Sequence, residues 1–381
     1  MSSSYCVRWG ILATGDIART FTKDLLINPE TRGVHDIQHT VVAVASSSSL
    51  ISAENFVSNI VTPKQQEPLC AAYGTYSELV QQTNVDIIYV ATPHSHHFQH
   101  VVLCLDAGKA VLCEKPMTVN ARQAKALFEK AKEKGLFLME AVWTRFFPVS
   151  IAVRNHMIDN KIGEVLRVSA DMTHILHDEQ WDVGNRLIRK DLAGGCLLDI
   201  GPYPLLWILQ TMWHIVPKER RKGEPRIKGT AMTMDPRTGV DIMTTMLIEL
   251  QSSPKGEQKA QAVATTGFCV TFDPDGENTA GPTVRLYGTK GELQVIGPIY
   301  RPEKYRIILH SGQIIQEKLP VPAGGHGMFW EADEAARCLR DGRLESGVIP
   351  WDESILTMEL LDEARRQGGL VYPDEIERLT I

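Results

Sequence analysis

The sequence predicts an α/β protein in two parts: a doubly wound parallel sheet at the N-terminus, then an α+β region built on an open, mostly antiparallel sheet. Three observations predict it. Strand-like and helix-like segments alternate as far as Val142, the pattern of a parallel sheet covered by helices on both faces. From Val165 onward, strand-like segments follow one another with few helices between them. The length, 381 residues, suits two or three domains of roughly 150 residues each.

Residues 7–13 form a short apolar run that leads to Gly15, and residues 17–27 then carry helical periodicity until Asn28-Pro29 stops it. Residues 41–45, 86–91, 110–113 and 137–142 read as four further buried strands, because a strand covered on both faces is apolar throughout. Residues 99–107 and 121–134 read as helices, with Gly108 and Gly135 where left-handed C-caps are expected. After a helix over residues 149–160 come eight strands: residues 165–172, 228–234, 241–250, 260–268, 283–287, 292–296, 305–310 and 314–318. Turn signals such as Gly288-Thr289-Lys290-Gly291 and Ser311-Gly312 separate them. One helix, residues 203–215, interrupts the strands, and two more, residues 328–340 and 351–367, close the chain. The boundary is expected near residues 144–148, giving parts 1–145 and 146–381.

Composition narrows the function. With 43% apolar and 23% charged residues the chain can bury a sizeable core, which excludes disorder as its main state. A net charge of -6 counts against nucleic acid as a partner, since phosphate backbones need a basic field. No apolar run reaches the ~18 residues of a membrane span; residues 197–216 are broken by Asp199, Gly201, Pro202, Pro204, Gln210 and His214. The seven cysteines are widely spaced with no CxxC, so neither a disulfide framework nor a structural zinc site is expected. Met1-Ser2-Ser3-Ser4 resembles no secretory leader and Arg378-Leu379-Thr380-Ile381 no targeting tag. A cytoplasmic protein is expected.

The turn after the first strand reads Gly10-Ile11-Leu12-Ala13-Thr14-Gly15-Asp16-Ile17-Ala18. It carries the dinucleotide fingerprint GxGxxG in the altered form Ala13-x-Gly15-x-x-Ala18. Gly15 would let the backbone approach a pyrophosphate, Ala18 would let the helix lie close to the sheet, and the helix start would offer unpaired N–H groups. Ala13 is expected to sit in a turn of negative φ. A tight turn without a ligand is the plainer reading. The second strand ends in Ala45-Ser46-Ser47-Ser48-Ser49, where NAD enzymes place a carboxylate on the adenosine ribose. A carboxylate about 4 Å from a 2′-phosphate would repel it by about 4 kcal/mol at an effective dielectric of 20. Serine hydroxyls accommodate it, so NADP is expected over NAD.

Further candidates lie at the carboxyl ends of later strands, where such sheets bind ligands. Ala91-Thr92-Pro93-His94-Ser95-His96-His97 follows the third strand of this reading. The histidines, with Cys104 or Cys113, suggest zinc. Yet His96, His97 and His100 open a helix without the HExxH carboxylate, and rings packed beside a cofactor fit better; no metal is expected. Glu114-Lys115-Pro116 ends the next strand, and proline restrains the residue before it, so Lys115 is a positioned cation. In Gly194-Gly195-Cys196-Leu197-Leu198-Asp199-Ile200-Gly201-Pro202-Tyr203, proline suits a first helical turn. Asp199 and Tyr203 then share a helix face; an N-cap and a core aromatic are the plainer alternatives.

Together these segments resemble the Gfo/Idh/MocA oxidoreductase family, and within it the NADP-dependent D-xylose and dihydrodiol dehydrogenase branch. The further segments that carry the resemblance are Glu140-Ala141-Val142-Trp143-Thr144-Arg145-Phe146-Phe147-Pro148, Tyr287-Gly288-Thr289-Lys290-Gly291-Glu292 and residues 326–331. The resemblance implies a Rossmann domain followed by an α/β domain whose open sheet forms a dimer contact. It implies a cofactor site of Gly10, Ala13, Thr14, Gly15, Asp16, Ile17, Ser46, Ser47, Ser48, Thr92, Pro93, His94, His96, Glu114, Lys115, Trp143 and Arg145. It places Lys115 beside the nicotinamide, Asp199 in its support, Tyr203 at the reacting group, and Trp143 and Arg145 along the nicotinamide and substrate. Ala13 departs from a glycine common in the family. His177 is a further substrate candidate, with Arg186 and His326 as additional pocket guesses.

The chemistry fits those groups. Oxidising a sugar at C1 removes the hydroxyl proton as hydride leaves. A free phenol titrates near 10, too high for a base near neutrality. A lysine ammonium ~4 Å away supplies roughly 4 kcal/mol toward the phenolate. The expectation is therefore NADP-dependent oxidation of an aldopyranose, D-xylose, to its lactone, with Tyr203 as general base, Lys115 as its electrostatic partner and Asp199 as orienter. The alternatives are oxidation of trans-dihydrodiols, which uses the same machinery, and a non-catalytic NADP-sensing regulator, which would lack the lysine and the base.

Overall fold

The computed structural model describes residues 4–251 and 258–380. Met1–Ser3 and Ile381, on which the reading of the chain ends partly rests, lie outside them. By internal contacts the chain divides into one unit of residues 1–143, 321–354 and 378–381 and a second of residues 144–320 and 355–377. Residues 321–354 and 378–381 therefore group with the first part, where the sequence reading assigned everything after residue 145 to the second. They carry no linker signal, because what ties them back is tertiary.

In the first unit six strands lie in the order β3-β2-β1-β4-β5-β6. They are β1 (Tyr5–Leu12), β2 (Ile37–Ala45), β3 (Ala71–Tyr73), β4 (Ile87–Val90), β5 (Ala110–Glu114) and β6 (Leu138–Ala141), and every pairing is parallel. This is the doubly wound order, whose reversal between β1 and β4 opens a crevice at the carboxyl edge. Helices α1 (Asp16–Leu25), α2 (Leu50–Phe56), α3 (Tyr76–Val80), α4 (His97–Asp106) and α5 (Ala121–Lys134) connect the strands. Residues of β4 and β5 are buried throughout, which explains their apolar sequence up to Glu114. Sequence reading missed β3, an edge strand too short to show any periodicity.

The segment that returns to this unit is held by buried polar contacts. Arg32 donates two hydrogen bonds to Asp333, at 2.8 and 2.7 Å, and both side chains are almost fully buried. Trp9 Nε1 donates to His39 Nδ1 at 3.1 Å, which leaves His39 Nε2 to donate to Asp333 at 2.9 Å. Burial pushes the His39 imidazole below its ordinary value, consistent with that neutral tautomer. Asp24, near the end of α1, accepts from the backbone N–H groups of His326, Gly327 and Met328 at 2.7, 2.6 and 2.8 Å. Asp24→Ala strands three amides, two of them buried, and is expected to cost about 3 kcal/mol. Urea unfolding checks this; a loss below about 1 kcal/mol would show that water replaces the carboxylate.

The second unit holds an eight-stranded sheet in the order β14-β13-β12-β11-β7-β10-β9-β8. The strands are β7 (Val165–Thr173), β8 (Arg226–Met234), β9 (Asp241–Gln251), β10 (Lys259–Gly267), β11 (Val284–Gly288), β12 (Gly291–Ile296), β13 (Lys304–Leu309) and β14 (Ile314–Lys318). All neighbours are antiparallel except β7 and β10. The helices are α6 (Pro148–Ile158), α7 (Cys196–Ile200) and α8 (Pro202–Met212), then α9 (Phe329–Arg340) in the first unit, α10 (Trp351–Gly368), within which the division falls, and α11 (Asp374–Glu377). α7 and α8 pack on β7, β9 and β10, which explains why alternate residues of those strands, such as Val168, Met246, Ile248, Ala262 and Ala264, are buried. The expected fold class and all eight strands of the second sheet are observed. No single helix among the described residues is long and apolar enough to cross a membrane.

Candidate functional site

In the first unit, the predicted cofactor residues gather at the carboxyl ends of the parallel strands. β1 ends at Leu12, and Ala13, Thr14 and Gly15 form the turn into α1, which begins at Asp16 and Ile17. Gly15 is the N-cap and gives the helix no side-chain cap. A Cβ on Gly15 would meet nothing within 4 Å, so the glycine leaves the first amides accessible. Ala18 is fully buried, as close packing of α1 requires. An exposed cradle with uncapped amides fits a pyrophosphate; Asp16 is the one adverse charge in that first turn. Gly10 lies inside β1 instead of in the turn. A Cβ there would come within 3.1 Å of Val85 and 3.3 Å of Ile88, so packing against neighbouring side chains accounts for it.

Ala13 differs from expectation. Its φ is +88°, not negative, and an L-residue pays roughly 1–2 kcal/mol in left-handed backbone. Ala13→Gly removes that strain but frees the unfolded chain, at roughly 0.5–1 kcal/mol. The net expectation is a protein more stable by about 0.5–1 kcal/mol, read from urea midpoints; a destabilised variant would show that the Ala13 methyl packs usefully.

The end of β2 carries a chain of hydroxyls. Thr14 Oγ1 lies 3.4 Å from Ser46 Oγ, Ser46 Oγ is 2.9 Å from Ser48 Oγ, and Ser48 Oγ donates to Ser52 Oγ at 3.1 Å. Ser47 Oγ donates to Tyr76 Oη at 3.2 Å. No lysine, arginine or histidine occurs from residue 46 to residue 63.

At the end of β4, Thr92 and His94 are buried, while Pro93 and His96 are partly exposed. His97, which sequence reading placed only in a cluster, joins two strand-end loops. Its Nδ1 lies 2.8 Å from the Pro116 carbonyl and its Nε2 2.8 Å from the Thr92 carbonyl. Serving both as donor requires an imidazolium, but burial pushes the ring down to about 4. The ring is neutral at pH 7 and donates to one carbonyl at a time. Among the described residues no group of three His, Cys, Asp or Glu could hold a metal ion.

Glu114 is the last residue of β5, and Lys115, half-buried, is the first beyond it. The Glu114 carboxylate accepts from the Tyr89 hydroxyl and, at 3.2 Å, from the Lys115 backbone N–H. The next strand contributes Glu140, which accepts from the Met117 N–H at 2.9 Å and is pushed up to about 7 by burial. Lys115 therefore stands on a loop tied from three strands. Beyond β6, Trp143 is buried and stacks on His326 at 4.7 Å between ring centroids. The His326 guess thus lands beside a predicted site residue, held there by Asp24.

In the second unit, Asp199 and Tyr203 flank Gly201. Asp199 is no N-cap; it lies inside α7, and Pro202 is the first residue of α8. Gly201 keeps helical φ and ψ of -62° and -26°, so the helical path continues through the break and the i, i+4 relation survives. A Cβ on Gly201 would lie 2.2 Å from the Leu197 carbonyl oxygen, so only glycine fits. Asp199 accepts from Arg186 at 3.0 Å, which places the Arg186 guess on a predicted site residue. Tyr203 is 6% exposed, and its ring lies 5.9 Å from that of Tyr300, a neighbour that no local signal in the sequence announces. Arg145 is fully buried. His177 is exposed at the start of a short turn, and no contact ties its ring to Tyr203.

A six-stranded parallel sheet with a glycine turn at its switch point, followed in the chain by a second, open-sheet unit with a polar helix corner, defines the dinucleotide-binding class of fold. Residues 7–142 match the oxidoreductase family model with the NAD-binding Rossmann fold, and residues 151–294 match the GFO/IDH/MocA C-terminal domain. This chain belongs to the Gfo/Idh/MocA family. It is 47% identical to the D-xylose 1-dehydrogenase (NADP(+)) of Hypocrea jecorina, over 98% of this chain and 94% of that protein. It is 34% identical to the trans-1,2-dihydrobenzene-1,2-diol dehydrogenase of Macaca fuscata fuscata, over 97% of this chain and 99% of that protein. Its fold is similar to that of a 3-ketoreductase from Actinomadura kijaniata, solved in complex with NADP and TDP-benzene. The TM-score is 0.74 with 22% identity over 95% of this chain and 97% of that one.

Proposed function

We propose that this oxidoreductase oxidises an aldopyranose, D-xylose, at C1 to its lactone with NADP. The observation that carries the cofactor choice is the end of β2, where serine hydroxyls stand in place of a ribose-binding carboxylate. The substrate rests on the near full-length similarity to the D-xylose enzyme. When bound, NADP accepts the hydride from C1. Tyr203 takes the hydroxyl proton at its phenolic oxygen, and the Lys115 ammonium stabilises the phenolate. Asp199, which accepts from Arg186, is assigned the role of orienter in this proposal. Lys115 and Tyr203 both speak against a regulator without catalysis. The dihydrodiol reading is the second one, favoured by relatives 34% identical along almost the whole chain.

The seven unpaired cysteines support a reducing compartment, the cytoplasm. The sheet face away from α7 and α8 carries Leu247, 43% exposed between buried Met246 and Ile248, which supports a homodimer through that face. We propose neither a nucleic acid nor a membrane as partner. Parallel initial rates of NADPH formation with D-xylose, D-glucose and benzene trans-dihydrodiol, each with NADP and with NAD, test the assignment. D-xylose with NADP is expected to give the highest kcat/KM; a dihydrodiol preference would select the second reading, and no turnover with any would reject both.

A further inference from the structure

The geometry points to Arg19 as the cation that binds the 2′-phosphate of NADP and so sets the preference for NADP over NAD. The inference rests on the NADP reading above and names the residue that enforces it. A 2′-phosphate is doubly charged near neutrality, and hydroxyls alone do not neutralise it. Proteins commonly place an arginine beside it, and a guanidinium fork matches phosphate oxygens two at a time. The loop after β2 has no cation to offer from residue 46 to residue 63, so the charge must come from another element.

α1 supplies it. Arg19 stands one turn into the helix that starts from the Gly15 cradle. Its guanidinium lies over the Phe56 ring, 5.6 Å from the centroid, and Phe56 closes α2, the helix that begins directly after Ser46–Ser49. Arg19 thus reaches from α1 to α2, whose N-cap is Ser49, and the hydroxyls of Thr14 and Ser46, just beyond the ends of β1 and β2, lie 3.4 Å apart. Stacking on an aromatic face orients a guanidinium without consuming its N–H donors. Arg19 has no ion pair among the described residues. Three other cations of this unit are engaged elsewhere: Arg32 with Asp333, Arg8 with Asp86, and Lys109 with the carbonyls of Gln82 and Val85. Burial drives His100, on α4, down to about 3, so it is neutral. The carboxylates on α1 and α2 are Asp16, Asp24 and Glu54; Asp24 is taken by the amides of residues 326–328, and Asp16 and Glu54 form no ion pair with Arg19.

The test is ligand binding by calorimetry, independent of turnover, with NADP, NAD and the fragment 2′,5′-ADP on wild type, Arg19→Ala and Arg19→Lys. Arg19→Ala is expected to weaken NADP and 2′,5′-ADP on the order of 10- to 100-fold, the effect of losing a charged hydrogen-bonding partner. NAD affinity should stay within about twofold, because NAD lacks the phosphate. Arg19→Lys should restore part of the loss, since charge survives but the fork does not. Parallel loss for NADP and NAD, or no loss for either, would overturn the assignment of Arg19 while leaving the NADP reading intact. Equal wild-type affinity for NADP and NAD would overturn that reading and the assignment with it. Thermal melts of each variant separate a binding defect from unfolding.

Discussion

Tyr203→Phe is expected to lower kcat for D-xylose oxidation by roughly 10³-fold, the usual range for a general base, which corresponds to about 4 kcal/mol of transition-state stabilisation. NADPH affinity should change by less than about threefold, because an interaction made only in the transition state contributes nothing to cofactor binding. Phenylalanine keeps the ring and loses only the hydroxyl. Tyr203 sits in the first turn of a helix whose side chains are all buried, so the variant should fold. Stopped-flow single turnovers with NADPH fluorescence separate chemistry from product release. A variant with wild-type turnover would remove Tyr203 from the reaction.

Lys115→Met is expected to lower kcat at pH 7.5 by roughly 10²–10³-fold, with the defect shrinking as pH rises. The sign follows from charge. A cation favours the phenolate, so removing it raises the pH at which Tyr203 becomes a base, and rising pH then recovers the lost fraction. Methionine matches the length of the lysine stem, and Lys115 is half-buried on a loop whose backbone bonds to Glu114 do not depend on its side chain. Lys115→Arg should keep more activity than Lys115→Met if charge is what matters. Equal loss in both variants would indicate a need for the ammonium itself, as a proton donor or a shaped hydrogen-bond donor.

Much of this protein is written in local signals. All eight strands of the second sheet show in the sequence, because turn residues separate them, and β7, β9 and β10 also alternate because one face is covered by α7 and α8. The helix over residues 202–212 shows through Pro202 and its apolar run. What local reading missed is set by tertiary structure. β3 exists because β2 offers it an edge. Residues 321–354 group with the first unit through Asp24, Arg32 and His39, polar residues whose partners lie far along the chain. Ala13 adopts positive φ because the turn from β1 into α1 demands it, a demand that an alanine in the sequence conceals. Asp199 was legible as a residue one helical turn from Tyr203, but its bond to Arg186 was not, since the loop between them has no periodicity to read. His97 read as one of a run of histidines, and only the fold reveals that it spans two strand ends.

The most direct test of the central claim is the pH profile of kcat/KM for D-xylose with saturating NADP, measured in wild type and in Lys115→Met. Wild type should show activity rising at a pH displaced below that of a free phenol. In the variant the same limb should move upward by a similar amount, so that the two profiles converge above pH ~10. A limb at the same pH in both proteins, with the variant merely lower throughout, would contradict the account, because Lys115 would then not be the group that makes Tyr203 a base.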